Sequence, residues 1–289
     1  MKIFIPLASV VLAVTACLAT ASAALIVSDN FDGYADQSAF EAAWAPIGSV
    51  APLSAELSTA QSSSIPQSNR VPGTLTSNQS RNRRSFAESG MIDTTHQLVW
   101  SFDFYDVNPT NAPSRNYSNL QDTTAPGSTN QLVAMGFNNN QTGANSGGQF
   151  YMARILGYTV PTTPDPDGGP TESGTLGAGA FFKLNDFGTA GARSLGWHNL
   201  KVIMGTNDGL STDYAFYVDN VLAEMVSNIG TAASIRSYDN IALGSGLSNA
   251  STEVFFDNVR LEVVPEPATM ALAGILLGLA ACTARRRAA

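Results

Sequence analysis

The chain has 289 residues, a formal net charge of −8, two cysteines and two histidines. Setting aside the two end segments, which carry Lys2, Arg285, Arg286 and Arg287 against Glu266, leaves residues 24 to 264 at −11. An acidic chain whose one basic cluster is Arg81, Arg83 and Arg84 excludes a nucleic-acid partner, because such binding needs a basic footprint to displace counterions.

Lys2 precedes an apolar run from Ile3 to Ala19, and Ala21-Ser22-Ala23 supplies the small-x-small pattern of a signal-peptidase site. Residues 1 to 23 therefore read as a signal peptide cut after Ala23. Val14-Thr15-Ala16-Cys17 also reads as a lipobox, but a lipid anchor would duplicate the C-terminal span described below. Cys17 and Cys282 both fall in the end segments, so the mature domain folds without disulfides. Its length, about 240 residues, suffices for one large core.

In chain order, Ser38 to Trp44 is the best short helix, with Ser38 as cap and Phe40 and Trp44 on one face. Ser54 to Arg84, rich in Ser, Asn and Pro, reads as a long loop. Next comes a strand in which Leu98, Trp100, Phe102 and Phe104 alternate with Val99, Ser101, Asp103 and Tyr105. Asn108 to Asn130 and Pro161 to Gly174 read as further long loops, the places where a β core usually carries its binding residues. His198 to Met204, the turn Gly205 to Gly209 and Tyr214 to Val218 form a hairpin. A tight turn at Asp219-Asn220 leads to another strand, and the last strands fall at Tyr238 to Leu243 and Thr252 to Val263.

Chemistry-bearing patterns are sparse. Glycoside hydrolysis needs two carboxylates flanking the bond; Asp103 with Asp106, or Glu253 with Asp257, are pairs only in sequence, and Asp103 and Asp106 point to opposite faces of a regular strand. There is no Gly-x-Ser-x-Gly elbow, and the histidines are His96 and His198. His198 beside Trp197 fits a structural role at a strand start. Asp165-Pro166-Asp167-Gly168-Gly169 has the oxygen ligands of a calcium-loop start at Asp165 and Asp167 but lacks a third acidic position and a closing Glu; it reads equally as a turn. Tyr105, Tyr117, Tyr151 and Tyr158, with Asn116 and Asn119, could contact sugar, since saccharides stack on exposed aromatic rings flanked by amides.

From Ala268 to Ala284 the chain is uncharged for 17 residues, close to the minimum of roughly 17 for a spanning helix. Arg285, Arg286 and Arg287 then act as a cytoplasmic stop. In Val264-Pro265-Glu266-Pro267 the prolines hold Val264 and Glu266 extended, in a form open to a protease.

Pro265-Glu266-Pro267, the apolar span and the basic end resemble the PEP-CTERM sorting signal of Gram-negative bacteria. That resemblance implies a protein held transiently in the inner membrane by its C-terminal helix, cut by exosortase near the motif, and released to the cell surface or an extracellular matrix. Asp29-Asn30-Phe31-Asp32-Gly33-Tyr34, Gly196-Trp197-His198, Phe216-Tyr217-Val218-Asp219-Asn220 and Phe256-Asp257-Asn258-Val259 resemble the concanavalin A-like, laminin G-like jelly roll. The Glu-x-Asp-x-x-Glu strand of its laminarinase-type hydrolases has no counterpart here. The expectation is thus an all-β concanavalin A-like jelly-roll sandwich over residues 24 to 263, preceded by the signal peptide and followed at 264 to 289 by the sorting signal with its transmembrane helix. Its expected role is non-enzymatic and structural or adhesive, with polysaccharide as a candidate ligand and no cofactor beyond the calcium considered at Asp165 and Asp167. The alternative is a divergent polysaccharide hydrolase.

Overall fold

The computed structural model describes residues 23–47, 55–73, 81–87, 92–109, 114–123, 131–138, 150–156, 180–185, 187, 190–228, 237–244 and 252–266. The expected signal peptide up to residue 22, Asp165 and Asp167, Tyr158, Pro267, the expected transmembrane helix and Arg285 to Arg287 lie outside the described residues. Among the described residues no helix is long and apolar enough to cross a membrane.

The strands are β1 (Ala24–Asp29), β2 (Ala45–Pro46), β3 (Glu56–Ser58), β4 (Ser68–Val71), β5 (Asn82–Ser85), β6 (His96–Asp106), β7 (Arg115–Asp122), β8 (Gln131–Asn138), β9 (Met152–Leu156), β10 (Ala180–Lys183), β11 (Gly196–Gly205), β12 (Thr212–Val218), β13 (Val221–Asn228), β14 (Asn240–Leu243) and β15 (Val254–Pro265). They form two antiparallel sheets. One has the order β13-β12-β11-β6-β15-β4-β3, with β1 also on β15, and the other has the order β10-β9-β8-β7-β14-β5-β2. The chain changes sheet on entering and leaving β2, on entering and leaving β5, between β6 and β7, between β10 and β11, and on entering and leaving β14, which gives the all-β jelly-roll layout expected from the motif order.

The core lies where period-two alternation aims apolar side chains inward. Leu98, Trp100, Phe102 and Phe104 of β6 are all buried, as their alternation requires. Phe104 meets Phe256 of β15 at 5.3 Å and Phe137 of the opposite sheet at 5.7 Å between ring centroids, in the edge-on geometry that aromatic pairs prefer. The helix α1 runs Gln37–Ala43, one residue earlier than expected. Its cap is Asp36, extended at φ −161°, which accepts the Ala39 N–H at 2.8 Å; Ser38 is inside the helix. A carboxylate two positions upstream of the serine takes the orphan amide instead.

Two expected loops contain strands. Residues 54 to 84 include β3, β4 and the start of β5, and residues 108 to 130 include β7. Neither shows apolar alternation, because polar side chains occupy inward positions and donate to backbone carbonyls there. Asn82 donates to the Trp44 carbonyl at 2.7 Å, Asn116 to that of Thr252 at 2.8 Å, and Ser118 to that of Ala242 at 3.0 Å. The end of β15 also departs from expectation. Val264 and Pro265 are paired with Gln97 and His96, and the Glu266 amide donates to the Thr95 carbonyl at 2.8 Å. The start of the motif is extended, but it is docked on β6 and half-buried.

Candidate functional site

Register in the seven-stranded sheet decides which side chains share its outer face. Arg83 of β5 is opposite Ala242 of β14, which is opposite Asn119 of β7, then Ala134 of β8 and Arg154 of β9. These residues form a single cross-strand row. The next row on the same face runs Tyr117, Gly136, Met152 and Lys183 through β7, β8, β9 and β10. Arg115, opposite Asn138, lies at its border. Arg81, two residues before Arg83, extends the same face at the other side. Tyr117, Leu132 and Ala134 pack as a small apolar cluster separate from the main core, which confirms that this face looks away from the sandwich interior.

The floor of this face is made of small residues, Ala242, Ala134 and Gly136, between longer basic ones. Gly136 is required: at φ +155° a Cβ there would lie 2.3 Å from the Asn116 carbonyl oxygen and 2.5 Å from Tyr117 Cα. The Tyr117 phenol receives a hydrogen bond from Arg154 and feels the charges of Arg154, Arg115 and Arg81; burial outweighs them and pushes its pKa up. The phenol is therefore kept protonated. Burial likewise pulls the Arg81 and Arg115 guanidinium groups down, with Arg83 adding repulsion at Arg81.

Charge balance sets this face apart. Arg70, Arg84, Arg193 and Arg260 each pair with a carboxylate; Arg81, Arg83 and Arg115 have no such partner among the described residues. Asn138 is 1% exposed, and neither atom of its amide has a partner. It lines a small depression with Tyr117, Ala134, Met152 and Arg154. A buried amide without a protein partner beside these cations leaves hydrogen-bonding capacity on this face that solvent or an external polar group can take up. A carboxylate-rich chain could supply acceptors to the arginines in bidentate geometry.

Of the aromatic and amide residues singled out in the sequence, Tyr117 and Asn119 come together here. Tyr151 is buried in the core, and Tyr105 packs between Trp197 and Phe255 on the other sheet, at 5.3 and 5.9 Å. Asn116 points inward. Arg81 and Arg83, read as part of a solvated loop, belong to or flank β5. Arg115, Arg154 and Lys183 had no sequence signal, since each is an isolated cation on a short strand.

The carboxylate pairs do not assemble into a hydrolytic couple. Asp106 is buried against Arg193 at 2.8 Å, and Glu253 binds Arg70 at 2.8 Å. Asp103 and Asp257 are opposite one another on β6 and β15, but Ser63, Ser64, Asn199 and Asn258 donate to them at 2.7–3.2 Å. No group of three or more His, Cys, Asp or Glu that could hold a metal occurs among the described residues.

Residues 263–287 match the PEP-CTERM protein-sorting motif. The chain therefore carries the signal of an exported protein that passes through the membrane anchored and is processed by exosortase. No curated protein matches the chain. Solved structures similar to it include an endo-1,3-β-glucanase from Streptomyces sioyaensis at 12% identity and TM-score 0.49, covering 84% of this chain and 97% of that one. A carbohydrate esterase of the Shiga toxin-encoding bacteriophage phi24B matches at 13% identity and TM-score 0.48, covering 84% and 100%. An endo-β-1,4-glucuronan lyase from the fungus Trichoderma reesei matches at 10% and 0.45, covering 85% and 95%. All three of these structures are of enzymes, which runs against the expectation of a non-enzymatic protein.

Proposed function

We propose that this exported, exosortase-sorted protein engages an acidic polysaccharide along the outer face of its seven-stranded sheet. The observation that carries the proposal is the concentration of Arg81, Arg83, Arg115 and Arg154 around Tyr117 and Asn119 on one face of a domain whose net charge is −11. A general electrostatic surface would follow the net charge. This one opposes it, so its ligand is anionic, and the flat floor of small residues suits an extended chain. A uronate polymer meets both demands, with carboxylates for the guanidinium groups, while Tyr117 and Asn119, 5% and 1% exposed, are buried supports for the cations. Binding on this face is the first step for an adhesive module and for a polysaccharide-cleaving enzyme alike.

The test is titration calorimetry of the folded domain against a polyuronate and a neutral β-glucan, with chain length measured before and after incubation. The polyuronate should bind and the neutral chain should not. Replacing Arg81 and Arg115 together by alanine should weaken binding at least about tenfold and flatten its salt dependence. Shortening of the polymer by the parent that is lost in the double variant would place catalysis on the same face. Equal affinity for the neutral glucan, or a double variant that binds as well as the parent, would overturn the assignment.

A further inference from the structure

At the rim of the sandwich, away from the arginine face, three side chains hydrogen-bond in series. Ser194 Oγ lies 2.9 Å from His198 Nε2, and His198 Nδ1 lies 2.8 Å from Asp219 Oδ2. The second oxygen of Asp219 accepts the Asn199 N–H at 2.8 Å, which fixes the carboxylate plane. Sequence order hid the arrangement. Ser194 precedes β11, His198 is on it, and Asp219 occupies the two-residue turn between β12 and β13, where Asp219 and Asn220 take φ of 51° and 63°.

The frame around these groups is rigid. His198 is flanked by the Tyr151 ring at 5.4 Å. Arg193, the residue before the serine, is buried; it donates to both oxygens of Asp106 at 2.8 and 3.1 Å and lies over the Phe137 ring at 3.8 Å. Ser194 itself is exposed, and so is its neighbour Leu195, at 66%. A fixed base, an oriented carboxylate and an accessible hydroxyl are the requirements for an activated serine.

We propose that Ser194 is an acyl-accepting nucleophile, with His198 as its general base and Asp219 as the positioning residue, and that the substrate is a carboxylic ester. Ser194 Oγ forms a bond to the ester carbonyl carbon while its proton passes to His198 Nε2. The alcohol leaves with that proton, and water, deprotonated by the same nitrogen, releases the acid and restores the serine. An ester is the acyl donor that asks least of such a serine, because an alkoxide leaves more readily than an amide's amine. Leu195 offers apolar surface to the acyl group. The Ser194 carbonyl lies 3.1 Å from the same His198 nitrogen and is the rival partner: an imidazolium donating to it would make the assembly a strut.

The experiment separates the two. The purified protein is treated with a fluorophosphonate probe, mapped by peptide mass spectrometry, and assayed with p-nitrophenyl acetate. Labelling of Ser194 and ester turnover are expected, with both abolished in Ser194→Ala at unchanged melting temperature. Asp219→Asn, which keeps a residue tolerant of positive φ, should slow labelling at least about tenfold, since the histidine loses its oriented acceptor. A folded parent that takes no label, a label that persists in Ser194→Ala, or a labelling rate insensitive to Asp219→Asn would overturn the proposal. Binding of polyuronate at the arginine face is read separately and is untouched by these variants.

Discussion

Asp29 gathers four donors on one carboxylate. Its Oδ2 accepts from the Tyr34 hydroxyl at 2.5 Å, Trp44 Nε1 at 2.9 Å and Arg84 at 2.6 Å, while Oδ1 takes the Phe31 amide at 2.9 Å. The Tyr34 phenol is pushed up, first by burial and then by this carboxylate. The Asp29-Asn30-Phe31-Asp32-Gly33-Tyr34 motif is therefore a fastening between β1, α1 and β5. Arg84, adjacent in sequence to the outward-facing Arg83, is spent on it because successive strand residues face opposite ways. Asp29→Ala should cost roughly 3 kcal/mol, the penalty for leaving a partly buried cation and two aromatic donors without an acceptor. Urea unfolding followed by tryptophan fluorescence measures it, and a loss below about 1 kcal/mol would mean that solvent replaces the carboxylate.

Among elements, β6, the β11 to β13 meander and β15 were legible because their inward positions are aromatic or aliphatic, and tight turns at residues 205–209 and 219–220 punctuate them. The strands β5 and β7 were not, and they are the ones that build the candidate site: inward Asn82, Asn116 and Ser118 break the apolar period, so pattern alone reads them as loop. Tyr117 and Asn119 could be nominated as residue types, but their neighbours Arg83 and Arg154 become visible only once the register across β5, β14, β7, β8 and β9 is known. The turn before β6 carries its own prediction. Asp93 Oδ1 accepts the Thr95 hydroxyl at 2.6 Å and the amides of Thr95 and His96 at 2.7 and 2.8 Å. The Thr95 hydroxyl leads in holding its pKa down to about 2. A depressed carboxylate stabilises above its ordinary value of about 3.9, and that support is lost as pH falls toward the folded value. Because the Thr95 carbonyl holds the Glu266 amide, the hydrogen-exchange protection of Glu266 should fall between about pH 5 and pH 2 in the parent. In Asp93→Ala it should already be low and vary little; identical profiles would show that the turn stands without its carboxylate.

For the whole molecule, the junction between fold and sorting signal is abrupt. The motif begins at residue 263 while β15 remains paired with β6 through Pro265. Glu266 also lines a groove of about 360 Å³ with Gln97, Asn207, Asp213 and Tyr214. A protease acting at Pro265-Glu266-Pro267 must therefore work against a folded edge or wait for the strand end to lift. Lifting it breaks only the last few pairs of the β15–β6 ladder, beyond the point where β1 pairs on the other side, a small local opening. If that step limits processing, a flexible Gly/Ser insertion between Val263 and Val264 should speed release from the cell in a pulse-chase experiment, because the motif would no longer be held on the sheet. Replacing Pro265, Glu266 and Pro267 by alanine should leave the protein cell-bound in the same assay. Release of the alanine variant at the parental rate would detach sorting from the motif, whereas an insertion that changes nothing would mean that exosortase accepts the docked strand as it stands.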